Sequence, residues 1–300
     1  VAAPGATRAI LYALGANLAI AVAKYAAAAA TGSGAMLAEA VHSSADCGNQ
    51  LLLMLGMRRA KREPTREHPL GFGKETYFWS FMVAVLLFSV GGLFSIYEGW
   101  HKLVAPEPVA RPLLALAVLA FGIAAESVSM WGVMREVRKV RGARSLAAWL
   151  RETRNSELVV VLGEDFAALV GLALAFAAVL ATWLTGEAAF DAVGSIAVGV
   201  LLVIVAAAVA AQVKALLVGR GVEPAEQEAM ERFLASAGAV AEVLEVLTLH
   251  MGDDVMVAVK ARMHPQPSVE ALVDAINAIE AGLRERFPQV RWVFFEPDVR

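Results

Sequence analysis

The chain has 300 residues, 58% of them hydrophobic and 18% charged, with a mean hydropathy of +0.60 and a formal net charge of -3. A soluble domain is closer to half apolar and a quarter charged, so the composition is that of a membrane protein with a soluble part attached. The near-neutral charge excludes a basic nucleic-acid-binding surface, and the single Cys47 excludes an internal disulfide or a cysteine-rich zinc site.

A helix needs about 20 apolar residues to cross a bilayer. Six runs qualify, over 7–30, 35–57, 77–100, 113–134, 158–184 and 190–217. No secretory signal peptide is expected, because the first run is too long for one. The first run ends in Thr31-Gly-Ser-Gly34, and Thr185-Gly186-Glu187 turns between the last two. The loop after the second run carries Arg58, Arg59, Lys61, Arg62, Arg66 and Lys74. The loop after the fourth carries Arg135, Arg138, Lys139, Arg141, Arg144, Arg151 and Arg154. The positive-inside rule makes both loops and both termini cytoplasmic.

After Gly219 the composition changes. Residues 224–237 predict a helix with Met230, Phe233, Leu234 and Ala237 on one face, and 240–250 a strand. Residues 255–263 alternate as a second strand, with Gly252-Asp253-Asp254 as the hairpin turn. Ser268 caps a helix with the stripe Val269, Leu272, Val273, Ile276, Ile279 and Leu283, and 290–295 closes the order as a last strand. The expected architecture is an α-helical membrane protein of six transmembrane helices over 1–217. An α+β cytoplasmic domain of αββαβ, ferredoxin-like order follows over 218–300. So small a domain has a thin core, which favours pairing with a second copy.

The ionisable residues inside the apolar runs carry the functional reading, because charge is costly there and marks a pathway or a site. Glu39, His42 and Asp46 lie on one face of the second run, followed by Asn49 and Gln50; Glu164 and Asp165 sit at comparable depth in the fifth. One imidazole with two or three carboxylates suits Zn²⁺, or Mn²⁺, Fe²⁺ or Co²⁺. The blander alternative for His42 and Asp46 is a hydrogen-bonded pair between helices. Glu164 and Asp165 point about 100° apart, so Asp165 is preferred as ligand and Glu164 as its support or a proton acceptor. Lys24 and Glu126 read equally as a structural ion pair or as part of an ion path. Glu39 and Glu98 read as residues of a solvated mouth, and Asp191 as a helix N-terminal charge. Cys47 is taken as packing, and His250 and His264 as surface residues, with a shared metal site at a dimer interface as the alternative.

The stretch Thr31-Gly-Ser-Gly-Ala-Met-Leu-Ala-Glu-Ala-Val-His-Ser-Ser-Ala-Asp-Cys-Gly-Asn-Gln50 resembles the cation diffusion facilitator family, in particular the branch that contains the animal mitochondrial zinc exporter. So do His68-Pro-Leu-Gly-Phe-Gly73, Leu162-Gly-Glu-Asp165 and Phe295-Glu-Pro-Asp298. The resemblance implies a proton-coupled antiporter, not an enzyme. It would export a divalent metal, Zn²⁺ first, from the cytoplasm by alternating access, as a homodimer in the lipid bilayer. It places transport ligands at His42, Asp46 and Asp165. Val161 stands where the family has its fourth ligand, a histidine, so Glu164, Asn17 or water takes that place. Phe72 and Phe294 stand where relatives have histidines of cytoplasmic metal sites, so those sites are expected to be absent or altered. No cofactor and no nucleic acid are implied. A different reading makes the chain a membrane-anchored metal sensor or scaffold working through the C-terminal domain. The Ala- and Val-rich chain suggests a bacterial inner membrane.

Overall fold

A computed structural model describes the backbone of residues 4–31, 34–105 and 111–299. The side chains of 4, 5, 28, 30, 31, 34–39, 41, 42 and 45 lie outside the description. The long helices are α1 (Pro4–Thr31), α2 (Gly34–Ala60), α5 (Pro112–Arg141), α7 (Ser156–Thr185) and α8 (Ala189–Gly219). A further rod is made of α3 (Glu75–Leu86), a π-helical segment (Leu87–Leu93) and α4 (Phe94–Val104) in unbroken succession. Among the described residues five of these rods are long and apolar enough to cross a membrane: α1, the α3–α4 rod, α5, α7 and α8. α2 is as long, at 27 residues, but carries the polar run from Ser43 to Gln50.

The rods close a ring. α1 packs on α2 and α5, α5 on α7, α7 on α8, α8 on the α3–α4 rod, and α3 on α2. Its burial is inverted relative to a soluble protein. Asn17, Lys24, Ser43, Asn49, Gln50, Glu126, Ser129, Glu164 and Asp165 are buried, while Leu18, Phe88, Trp131, Phe166 and Ile204 face outward. Apolar side chains outside and ionisable ones inside are what a lipid surround demands. Glycines set the closest approach in the ring. A Cβ on Gly199 of α8 would lie 2.7 Å from the Gly92 carbonyl oxygen and from the Ile96 nitrogen, so the two backbones touch there.

The helix ends follow local chemistry. Asn155 Oδ1 accepts from the Leu158 N–H (3.0 Å) to start α7, and Gly186 ends it at φ 77°. The expected Ser268 cap is present: its hydroxyl accepts from the Ala271 N–H at 3.2 Å. One short helix, α6 (Leu146–Glu152), has no counterpart in the expected elements. Ser145 caps it, and Trp149 is its one buried residue.

Beyond α8 come α9 (Pro224–Ala235), β1 (Val240–Met251), β2 (Asp254–Met263), α10 (Val269–Arg286) and β3 (Val290–Asp298), the expected αββαβ order. β2 is central, antiparallel to β1 and parallel to β3. β3 runs on through Pro297, which an edge strand tolerates because no outer neighbour needs the N–H that proline lacks. One face of the sheet packs Val255, Val257, Val259 and Ala261 against Met230, Leu234, Ile279 and Leu283. The expected α10 stripe is corrected at its start: Val269 and Val273 are exposed, because the helix meets the sheet only through its second half.

Candidate metal centre between the helices

α2, α5 and α7 bring acidic residues together inside the ring. Asp165 on α7 is 2% exposed, and its Oδ2 accepts a hydrogen bond from Ser129 Oγ of α5 at 2.6 Å. Glu126 lies one turn before Ser129 and is also 2% exposed. Glu164 is buried beside them, with both carboxylate oxygens engaged by α2: Asn49 Nδ2 donates to Oε1 at 3.0 Å and Gln50 Nε2 to Oε2 at 2.6 Å. Asp46, half-buried on α2, acts electrostatically on both Glu126 and Glu164, and so does Asp165. Four carboxylates from three helices therefore share one neighbourhood.

The backbone of His42 lies in α2 one turn before Asp46, and its imidazole lies outside the described residues, as does the Glu39 side chain. Among the described residues no group of three or more His, Cys, Asp and Glu side chains is set to hold a metal ion. Asn17 is buried on α1, on the face that carries Lys24 two turns later. Lys24 Nζ donates to Ser43 Oγ on α2 at 2.9 Å, next in sequence to His42.

The geometry separates Glu164 from Asp165 in kind. Glu164 uses each oxygen to tie α7 to α2, whereas Asp165 has one oxygen on Ser129. Ser129 was not singled out by the sequence. Asn49 and Gln50 had a legible signal, since they stand three and four residues after Asp46 on the same helix face.

The other charges sort as follows. Lys102 bridges Glu98 (3.2 Å) and Asp191 (3.0 Å), joining α4 to the first turn of α8. Glu98 and Asp191 are thus partners in an ion-pair network at the ends of these helices. His68 is exposed, and its ring lies 4.5 Å from that of Phe72, centroid to centroid. Phe294 is exposed on the open face of the sheet.

His250 is not the surface residue expected; His264 is exposed. His250 lines a cavity of about 270 Å³ between the C-terminal unit and the ends of the long helices, with Tyr77, Arg154, Glu157, Glu223 and Asp253. The β1–β2 hairpin tip seats there. The Gly252 N–H donates to Tyr77 Oη (3.1 Å), and that hydroxyl donates to the Gly252 carbonyl (3.3 Å). Gly73, just before α3, meets Met251 and Gly252 backbone to backbone. Arg154 donates to the Gly221 and Val222 carbonyls, and Arg144 pairs with Glu223 at 2.5 Å. Burial, with Arg220 beside it, brings the Arg154 guanidinium down to about 10, still charged at neutral pH. Burial also pushes the His250 imidazole below its ordinary value, against the opposing effect of its hydrogen bond to Gly252. The unit is thus docked at the end of the bundle that carries the basic loops.

A family model for the cation efflux transmembrane domain matches residues 10–218. The mitochondrial proton-coupled zinc antiporter SLC30A9 of Xenopus laevis is 35% identical over 224 residues, covering 74% of this chain and 40% of that protein. Its Homo sapiens counterpart is 31% identical over 224 residues, again 74% of this chain and 39% of the relative. Metal tolerance protein C4 of Arabidopsis thaliana is 31% identical over 235 residues, 78% of this chain and 51% of that protein. The chain thus spans about two-fifths to half the length of these relatives. By name the antiporters are mitochondrial, and the bacterial inner membrane expected from composition draws no support from them.

Proposed function

The chain belongs to the cation efflux family, and from that premise we propose that it is a proton-coupled antiporter for a divalent metal, Zn²⁺ first. In this reading α2 is a sixth span, since its 27 residues rise about 40 Å at 1.5 Å each. Residues 1–217 form the transmembrane domain, and 218–300 a ferredoxin-like cytoplasmic domain on the side of the basic loops. Two copies pair as a homodimer.

The observation that carries the reading is the convergence of Asp46, Glu126, Glu164 and Asp165 inside an apolar ring. Carboxylates buried at such cost have a use for a cation. His42, Asp46 and Asp165 are the proposed ligands, with Asn17 or water at the fourth position. Glu164 is an orienting group whose hydrogen bonds to Asn49 and Gln50 hold α7 against α2. Metal binds deprotonated ligands, so loading from one side releases protons and protonation from the other side expels the metal. Rocking of the rods alternates access to the centre.

The test is zinc flux into proteoliposomes under an imposed pH gradient. His42→Ala and Asp46→Ala are each expected to abolish gradient-driven flux. Parent-like flux in both would refute the site. Flux indifferent to the gradient would refute proton coupling.

A further inference from the structure

The acidic centre also faces a cation that belongs to the chain. Among the described residues Lys24 is the only lysine or arginine that is buried. It lies on α1, which packs against both α2 and α5, and its ammonium is held on Ser43 of α2 at 2.9 Å. Among the described residues the charges acting on Glu126 are Asp165, Asp46 and Lys24: two that repel it and one that attracts it. Lys24 therefore stands within electrostatic reach of Glu126, the α5 member of that acidic cluster.

We propose that Lys24 is the internal counter-cation of the metal centre. Its ammonium offsets the carboxylate of Glu126, and through it the acidic cluster that Glu126 shares with Asp46 and Asp165, and so opposes an incoming divalent ion and sets how loosely that ion is held. The inference rests on the metal-site reading above. Its physical ground is Coulombic. In a surround of low dielectric, a fixed positive charge several ångströms from a doubly charged ion raises the ion's energy far more than it would in water. A carrier gains from this, because it must release what it binds; four carboxylates without a counter-charge would hold the metal too tightly to turn over. Ser43 keeps the ammonium at the edge of the centre, where it acts as a charge and leaves the ligand positions open.

A purely structural ion pair between Lys24 and Glu126 predicts the opposite sign. Removing one member would loosen the helices and weaken metal binding. The experiment is equilibrium zinc binding to the purified full chain in detergent, by competition with a chromogenic chelator at one fixed pH. Lys24→Met and Lys24→Gln are compared with Lys24→Arg and Asp46→Asn. Both neutral variants are expected to bind zinc tighter by about tenfold or more, with slower release in stopped flow, and Lys24→Arg to match the parent. If Lys24→Met does not fold, Lys24→Gln decides, because its amide can still face Ser43. Unchanged or weaker zinc binding in the neutral variants overturns the counter-cation role, and loss of binding in Asp46→Asn then leaves the site intact. Parent-like zinc binding by Asp46→Asn overturns the site itself and this inference with it.

Discussion

Gly73→Ala tests whether the C-terminal unit is held to the bundle through its hairpin tip. A Cβ on Gly73 would overlap the carbonyl of Met251, and a Cβ on Gly252 would come within 2.6 Å of the Gly73 oxygen. These are backbone atoms, so no side chain can swing aside and the tip must lift. Lifting removes the two hydrogen bonds between Tyr77 and Gly252. At about 0.5–1.5 kcal/mol each, their loss shifts the docked-to-undocked ratio by about 5- to 150-fold. The β1–β2 turn itself is unaffected by Gly73→Ala, because the left-handed φ of 78° belongs to Gly252. The assay is amide hydrogen exchange on the full chain in detergent, followed over residues 250–255 and 73–77. Protection should fall in both stretches together while the β2 interior stays protected. Tyr77→Phe, which removes the hydrogen bonds without the overlap, should give a smaller change of the same pattern. Parent-like protection in Gly73→Ala would refute the docking.

Three further outcomes follow from single contacts. Ser129→Ala leaves buried Asp165 without its donor and should cost about 1.5–3 kcal/mol of metal-free stability, read as a lower thermal midpoint; an unchanged midpoint contradicts the hydrogen bond. Asn49→Leu and Gln50→Leu should each destabilise by about 1–3 kcal/mol, and the double variant by other than the sum, because both amides serve one carboxylate; strict additivity argues against the shared contact. The contribution of His250 to docking should be fully present above the ordinary histidine value of about 6.5 and be lost as pH falls below it. The sign follows because His250 is held below its ordinary value when docked, so the undocked state binds more protons; hydrogen exchange across pH 5–8 measures this, and His250→Gln should flatten the profile.

Much of this protein was legible in its sequence because lipid and local backbone chemistry impose short-range rules. A bilayer demands apolar runs of fixed minimum length, so the six runs fall within helical rods, five of them among the described residues long and apolar enough to cross it, and Asp46, Glu164 and Asp165 stand out against apolar neighbours. The Ser268 cap, the Gly186 turn and the Gly252 hairpin depend on residues within a few positions of each other, and all three are present. What the sequence could not decide is the rotation of each rod about its axis and the partner it meets. The hydrogen bond of Ser129 to Asp165 spans 36 residues of chain, and those of Asn49 and Gln50 to Glu164 span 115 and 114. No local pattern encodes them, and they are what divides two adjacent acids into one tied to its helix neighbour and one turned toward Ser129. The placement of half-buried His250 in the cavity that Tyr77 also lines was likewise settled by docking, and the exposure of Val269 and Val273 by how α10 lies on the sheet. Periodicity tells which residues share a helix face; only packing decides what that face looks at.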